Sequence, residues 1–251
     1  MTARMWSCRI LAALAWVLTG CGWEADDERV TCRAEIPEDT SGIFGDCESA
    51  LQLAVRTSAG LVLTQEEIDW HLDLYQRGYD ALRGTLGRPP AAMNWYEGMD
   101  VWTERADVVA AWSQGMVETG VPELDDILRA TYVRKVVTHF GGSYFTFESS
   151  RVVVTKNVAP LLATIPGLDI SDPYVRLPDY QQDVVIEPPQ DASQLAAIVY
   201  SIGWGDCFVA CSGHHHWRVG VTADAASLLD DWGDPIPADV LEYWQQPPVR
   251  R

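Results

Sequence analysis

The sequence predicts an α+β fold, a helical N-terminal half packed on a small antiparallel sheet with a disulfide-clasped β-hairpin. Three observations predict it. Apolar residues recur at helical spacing from residue 65 to about 132, behind a capping box at Thr64 and Glu67. Beyond residue 132 the texture turns to Val, Phe and Tyr runs with a period of two, separated by Gly-Gly, Ser-Ser and Pro-Gly. Four cysteines outside the first 21 residues fall into two close pairs, one of them inside the predicted hairpin.

Taken in chain order, residues 1–20 read as an export signal. Arg4 and Arg9 form the charged start, residues 10–18 the apolar run, and Thr19 and Gly20 the small residues that a peptidase needs next to its cut. Leu18-Thr19-Gly20-Cys21 resembles the lipobox of bacterial lipoproteins. The resemblance implies that the signal is removed and that Cys21 becomes the acylated first residue. Acyl chains contribute about 0.8 kcal/mol per buried CH₂, so the implied partner is a lipid bilayer. Gly22 in place of Asp after that cysteine resembles lipoproteins passed on to an outer membrane, in a host that has one. Residues 21–31 then form the lipidated Cys and an acidic tether.

The remainder divides into a mainly helical region, 32–132, and a β-rich region, 133–251, read together as one globular unit. The capping box starts a helix that runs to about residue 86, where Gly87-Arg88-Pro89-Pro90 stops it. Residues 95–102 read as an aromatic connection before a second helix at about 103–117. Pro122, with Glu123, Asp125 and Asp126 in the first turn, starts a third, to about 132. Strands are expected at 133–140, 144–148 and 152–155, a short helix capped by Asn157 at 158–165, and a strand at 168–170. Further strands follow at 184–186, 196–204, 214–222 and 227–232, then a last helix at 238–244. Most of the eleven tryptophans are expected in the core.

The export signal places Cys32, Cys47, Cys207 and Cys211 in an oxidising compartment, and short loops favour Cys32–Cys47 and Cys207–Cys211 over the other two pairings. The formal charge of −18 moves to −20 when the signal takes away two arginines and no acid. Such a surface argues against nucleic acid held through its phosphates.

Residues that could carry chemistry concentrate at 204–217. Gly205-Asp206-Cys207, Cys211 and His216-Trp217 resemble a hairpin motif of uncharacterised secreted or lipid-anchored bacterial proteins, GDCxxxC followed by one or more His or Arg and an aromatic that opens a strand, with Ala210 where those relatives more often carry Gly. The resemblance implies an architecture and no activity. On a strand, His214, His216, Arg218 and Thr222 share one face, and His215, Trp217, Val219 and Val221 the other. His214 and His216 are thus candidate zinc ligands, with His71, His139 or a carboxylate as a third. Arg218 on the same face would repel a cation, and no cofactor is otherwise implied. Nucleophile-elbow, phosphate-loop and dinucleotide-binding glycine motifs are all missing. Trp95 and Tyr96 are candidates for a loop that binds a sugar or a partner protein.

Residues 152–170, with Leu161-Leu162 and Ile165-Pro166-Gly167-Leu168, are similar to the end of the propeptide of subtilisin-like proteases, a ferredoxin-like inhibitor and folding helper. The expectation is a cell-envelope lipoprotein that binds an envelope protein or small ligand without catalysis. The alternatives are a metal-dependent hydrolase using His214 and His216, and a propeptide-like protease inhibitor.

Overall fold

Two four-stranded antiparallel sheets carry the β residues of the α+β fold, each with helices packed on one face. The computed structural model describes residues 32, 46–88, 90, 100–170, 182–207 and 211–246, and these belong to one compact unit. Cys21, the tether, Trp95 and Tyr96 lie outside the described residues.

The chain enters through α1 (Asp46–Thr57) and α2 (Gln65–Leu82). The capping box predicted for α2 is formed: the Glu67 N–H donates to Thr64 Oγ1, and the Thr64 N–H donates to Glu67 Oε2 at 2.8 Å. The helix ends at Leu82, with a turn in which the Leu86 N–H still reaches the Leu82 carbonyl. Ile68, His71, Leu74, Tyr75, Gly78 and Leu82 form its buried face. Gly78 is required there. A Cβ at that position would stand 2.5 Å from the Tyr200 hydroxyl, which donates to the Tyr75 carbonyl, so α2 rests directly on the second sheet.

The first sheet is built from β1 (Asp100–Thr103), α3 (Ala106–Ser113), α4 (Pro122–Ala130), β2 (Val133–Thr138), β3 (Tyr144–Ser149), α5 (Thr155–Leu162) and β4 (Leu168–Ile170). Its strand order, β2-β3-β1-β4, is entirely antiparallel. This is the split βαβ, or ferredoxin-like, order. Val108, Trp112, Leu124, Leu128, Phe145, Phe147, Val158 and Leu162 pack into one core between its inner face and α3, α4 and α5.

Several expectations shift here. Residues 100–103, read as connection and helix start, form a central strand, because Val101 and Thr103 alternate inward around Trp102. Residues 152–155 contribute one isolated bridge, Val62 to Val153, before α5 begins at Thr155. Asn157 caps nothing; its amide donates to the Ser58 and Gly60 carbonyls and ties α5 to the α1–α2 linker.

The second sheet follows: β5 (Gln182–Glu187), β6 (Gln194–Trp204), β7 (Gly213–Thr222) and β8 (Ala226–Gly233), in that spatial order, then α6 (Ala238–Gln245). Ile198, Tyr200 and Ile202 of β6 and Trp217, Val219 and Val221 of β7 face α2, with Trp244 of α6 closing the same core. The expectation for tryptophan holds in part. Trp112, Trp217 and Trp244 are buried, whereas Trp70, Trp102 and Trp232 are exposed on outer faces. Cys32 pairs with Cys47 and Cys207 with Cys211, as their spacing predicts. None of the described helices is long and apolar enough to cross a membrane.

Candidate functional site

Each sheet turns one face away from its helices, and the candidate residues lie on these two outer faces. On the second sheet the β6–β7 hairpin carries the Cys207–Cys211 clasp at its tip, with Cα atoms 4.0 Å apart. Asp234 anchors the start of β7: its N–H donates to the His214 carbonyl at 2.7 Å, and its carboxylate accepts from the His214 N–H at 3.1 Å.

His214 and His216 share the outer face as predicted, with ring centroids 6.3 Å apart. Their planes differ by only 9°, so the two rings are stacked in parallel. Nδ1 of His216 is 2.7 Å from the Ser201 hydroxyl. The other histidines named as third ligands are engaged elsewhere: His71 Nε2 meets Thr57 Oγ1 at 2.6 Å, and His139 Nε2 meets Thr146 Oγ1 at 2.7 Å. Among the described residues, no three His, Cys, Asp or Glu side chains come together as a metal site would need.

Burial holds the His216 imidazole below its usual pKa, and the charges of His214 and His215 push the same way against Asp234. A neutral ring beside Ser201 is a competent proton acceptor. Ser201 lies within β6, paired with both β5 and β7, so the surrounding main-chain N–H groups serve the ladders and not an oxyanion. His216 also stacks on Trp232, with centroids 5.2 Å apart, and the Arg218 guanidinium covers that ring at 4.8 Å. Arg218 is further held by Glu187 at 2.9 Å and Asp230 at 3.7 Å. The polar side chains of this face therefore pair with one another.

The first sheet is different. Trp102 and Tyr144, on its two central strands, are cross-strand partners with rings stacked at 4.6 Å, and Trp102 is 48% exposed. His139 extends the aromatic row, its ring 4.8 Å from Tyr144. A relay of hydrogen bonds fixes it: Nε2–H donates to Thr146 Oγ1, whose own proton goes to Asp100 Oδ1 at 2.7 Å. Asp169 is paired with Trp102 across β4, and Glu148 holds Lys135 at 2.8 Å on the same face. Sequence reasoning missed this row because β1 was read as a connection. The available signal was the alternation Val101, Trp102, Thr103 against Tyr144, Phe145, Thr146.

A comparison with protein-family models, with curated proteins and with solved structures finds no match to this chain. The two disulfides nevertheless mark it as a protein that folds in an oxidising, exported environment.

Proposed function

We propose that the protein is a non-catalytic, lipid-anchored module of the cell envelope that binds a partner protein through the outer face of its first sheet. The observation that carries this reading is the Trp102–Tyr144–His139 row. A tryptophan left 48% exposed on a central strand leaves apolar area in water, and such aromatic anchors dominate the energetics of protein interfaces. The partner surface is expected to offer apolar and cationic side chains. Asp100 and Asp169 flank the row, Lys135 and Glu148 pair with each other, and the chain as a whole carries −18.

The anchor rests on the lipobox resemblance at residues 18–21, with the outer membrane as its destination where the host has one. The mass of the N-terminal peptide tests it. Acylated Cys21 is expected on the mature chain, and a Cys21→Ser variant is expected to leave the membrane fraction. Trp102→Ala combined with Tyr144→Ala tests the binding face. The double variant is expected to lose at least one envelope partner that the parent protein retains, while both melt at similar temperatures. Retention of every partner by the double variant would sink the reading.

A second reading rests on the strand order β2-β3-β1-β4. This is the ferredoxin-like arrangement of the propeptides that residues 152–170 resemble. It makes the partner a subtilisin-like protease, inhibited at nanomolar to micromolar concentration. An assay with no inhibition in that range would remove it.

A further inference from the structure

We propose that a cleft between the end of β6 and α6 binds a methylated or quaternary ammonium group. Its walls are Trp204, Tyr243 and Trp244, with Asp239 on the first turn of α6 and the backbones of Gly203 and Gly205 beside them. The cleft is open to solvent and has a volume of about 410 Å³.

Three features select a cation. The Tyr243 and Trp244 rings meet at 90° with centroids 5.5 Å apart, forming a corner of π faces and edges. Aromatic corners of this kind attract ammonium groups through the ring quadrupoles. The Arg88 guanidinium sits 4.1 Å from the Tyr243 centroid, held by the Gln246 carbonyl, so a bound ammonium group shares that ring with a cation or displaces it. Asp239 forms no ion pair among the described residues, and its charge offsets the positive end of α6, which would otherwise favour an anion. The net charge of −18 adds a field of the same sign.

The corner is held rigidly. Trp244 is buried in the core of the second sheet, and its carbonyl accepts from the Gly87 N–H at 2.8 Å. Trp204 lies flat against Gly213, where a Cβ would come within 2.5 Å of the indole. No rearrangement is needed to assemble the walls, which lowers the cost of binding.

The test is a titration of the Cys21→Ser chain with choline, with 3,3-dimethyl-1-butanol, the uncharged compound of the same shape, and with glucose. Saturable choline binding in the millimolar range or tighter is expected, with the neutral compound about tenfold weaker. Asp239→Asn and Tyr243→Leu are each expected to weaken choline several-fold with little change in melting temperature, and Tyr243→Phe to retain it. Phosphatidylcholine vesicles form a second arm. Co-sedimentation that choline competes away would make the source a lipid headgroup, and choline binding without co-sedimentation a soluble amine. Equal binding of choline and its neutral analogue, saturation by glucose alone, no saturation by any probe, or choline binding untouched by both weakening variants would each overturn the proposal.

Discussion

Two exposed tryptophans stand on the outer faces of the two sheets, Trp102 at 48% and Trp232 at 37% exposure, and their surroundings differ. Trp232 has His216 stacked on it and Arg218 above it, and Arg218 is in turn held by Glu187 and Asp230. Trp102 is stacked on Tyr144 and remains 48% exposed. Exposure alone does not distinguish the two residues. What distinguishes them is what covers the ring: an imidazole and a guanidinium on Trp232, and the Tyr144 ring on Trp102. A face that pairs its charges internally gains local stability, whereas one that leaves aromatic area open on central strands has free energy still to gain from a partner.

The largest effect should come from contrasting the two sides of the first sheet. Trp112→Ala, on the inner side against Phe145 and Phe147, is expected to cost about 3–5 kcal/mol in urea unfolding. Trp102→Ala, on the outer side, is expected to cost less than about 1 kcal/mol. Equal costs would mean that Trp102 is a core residue and that the outer face of the first sheet is not open.

Next in size is the self-pairing of the second sheet. Arg218→Ala removes two ion pairs and a cation–π contact from a side chain that is 23% exposed, and is expected to cost about 1–2 kcal/mol. Lys135→Ala on the first sheet, where the pair is mostly solvated, should stay within about 0.5 kcal/mol. A cycle in which Arg218 proves as dispensable as Lys135 would erase the distinction between the faces.

A smaller effect appears with pH. Burial lowers the pKa of His71, against the opposing pull of the Glu67 carbonyl and carboxylate, and lowers that of His216 together with the charges of its histidine neighbours. For a base with a depressed folded-state pKa, the unfolded chain binds more protons once the pH falls below the ordinary value near 6.5. Stability should therefore be complete above that pH and decline progressively as it falls toward each lowered pKa. His216→Gln should shallow the decline in urea midpoint between neutral pH and mildly acidic solution. An unchanged slope in that variant would mean that the ring is not neutral on its sheet. Smaller still is the difference between disulfides: opening Cys32–Cys47, with a separation of 15, should cost about 3 kcal/mol, and opening Cys207–Cys211, with a separation of 4, about 2 kcal/mol.

How much of this was legible in the sequence depended on whether the signal was local. The Thr64–Glu67 box, the period-two runs flanking residues 205–213 and the two short cysteine spacings involve neighbours in the chain, and each appears as read. The helix α1 was not read, because Cys47, Ala50, Leu53 and Ala54 offer a narrow stripe of small residues within a polar segment. β1 was missed because four residues between an aromatic-rich stretch and a helix carry too little alternation to register. Only pairing with Tyr144 and Phe145, more than forty positions away, makes it a strand. The face of His214 and His216 was legible from parity alone. The partners of His216 were not, since Ser201 and Trp232 reach it through strand register. The cleft of Trp204, Tyr243 and Trp244 likewise joins a hairpin to a helix about forty residues on, a contact that no local pattern announces.

On the function proposed above, the outer face of the first sheet recognises a partner and that of the second does not. The sharpest check places p-benzoylphenylalanine, which keeps an aromatic ring, at position 102 in one full-length chain and at position 232 in another, each in its native envelope. A discrete adduct with an envelope protein is expected from position 102, abolished by excess parent protein but not by the Trp102→Ala, Tyr144→Ala variant, and none from position 232. An adduct from position 232 with none from 102 would contradict it.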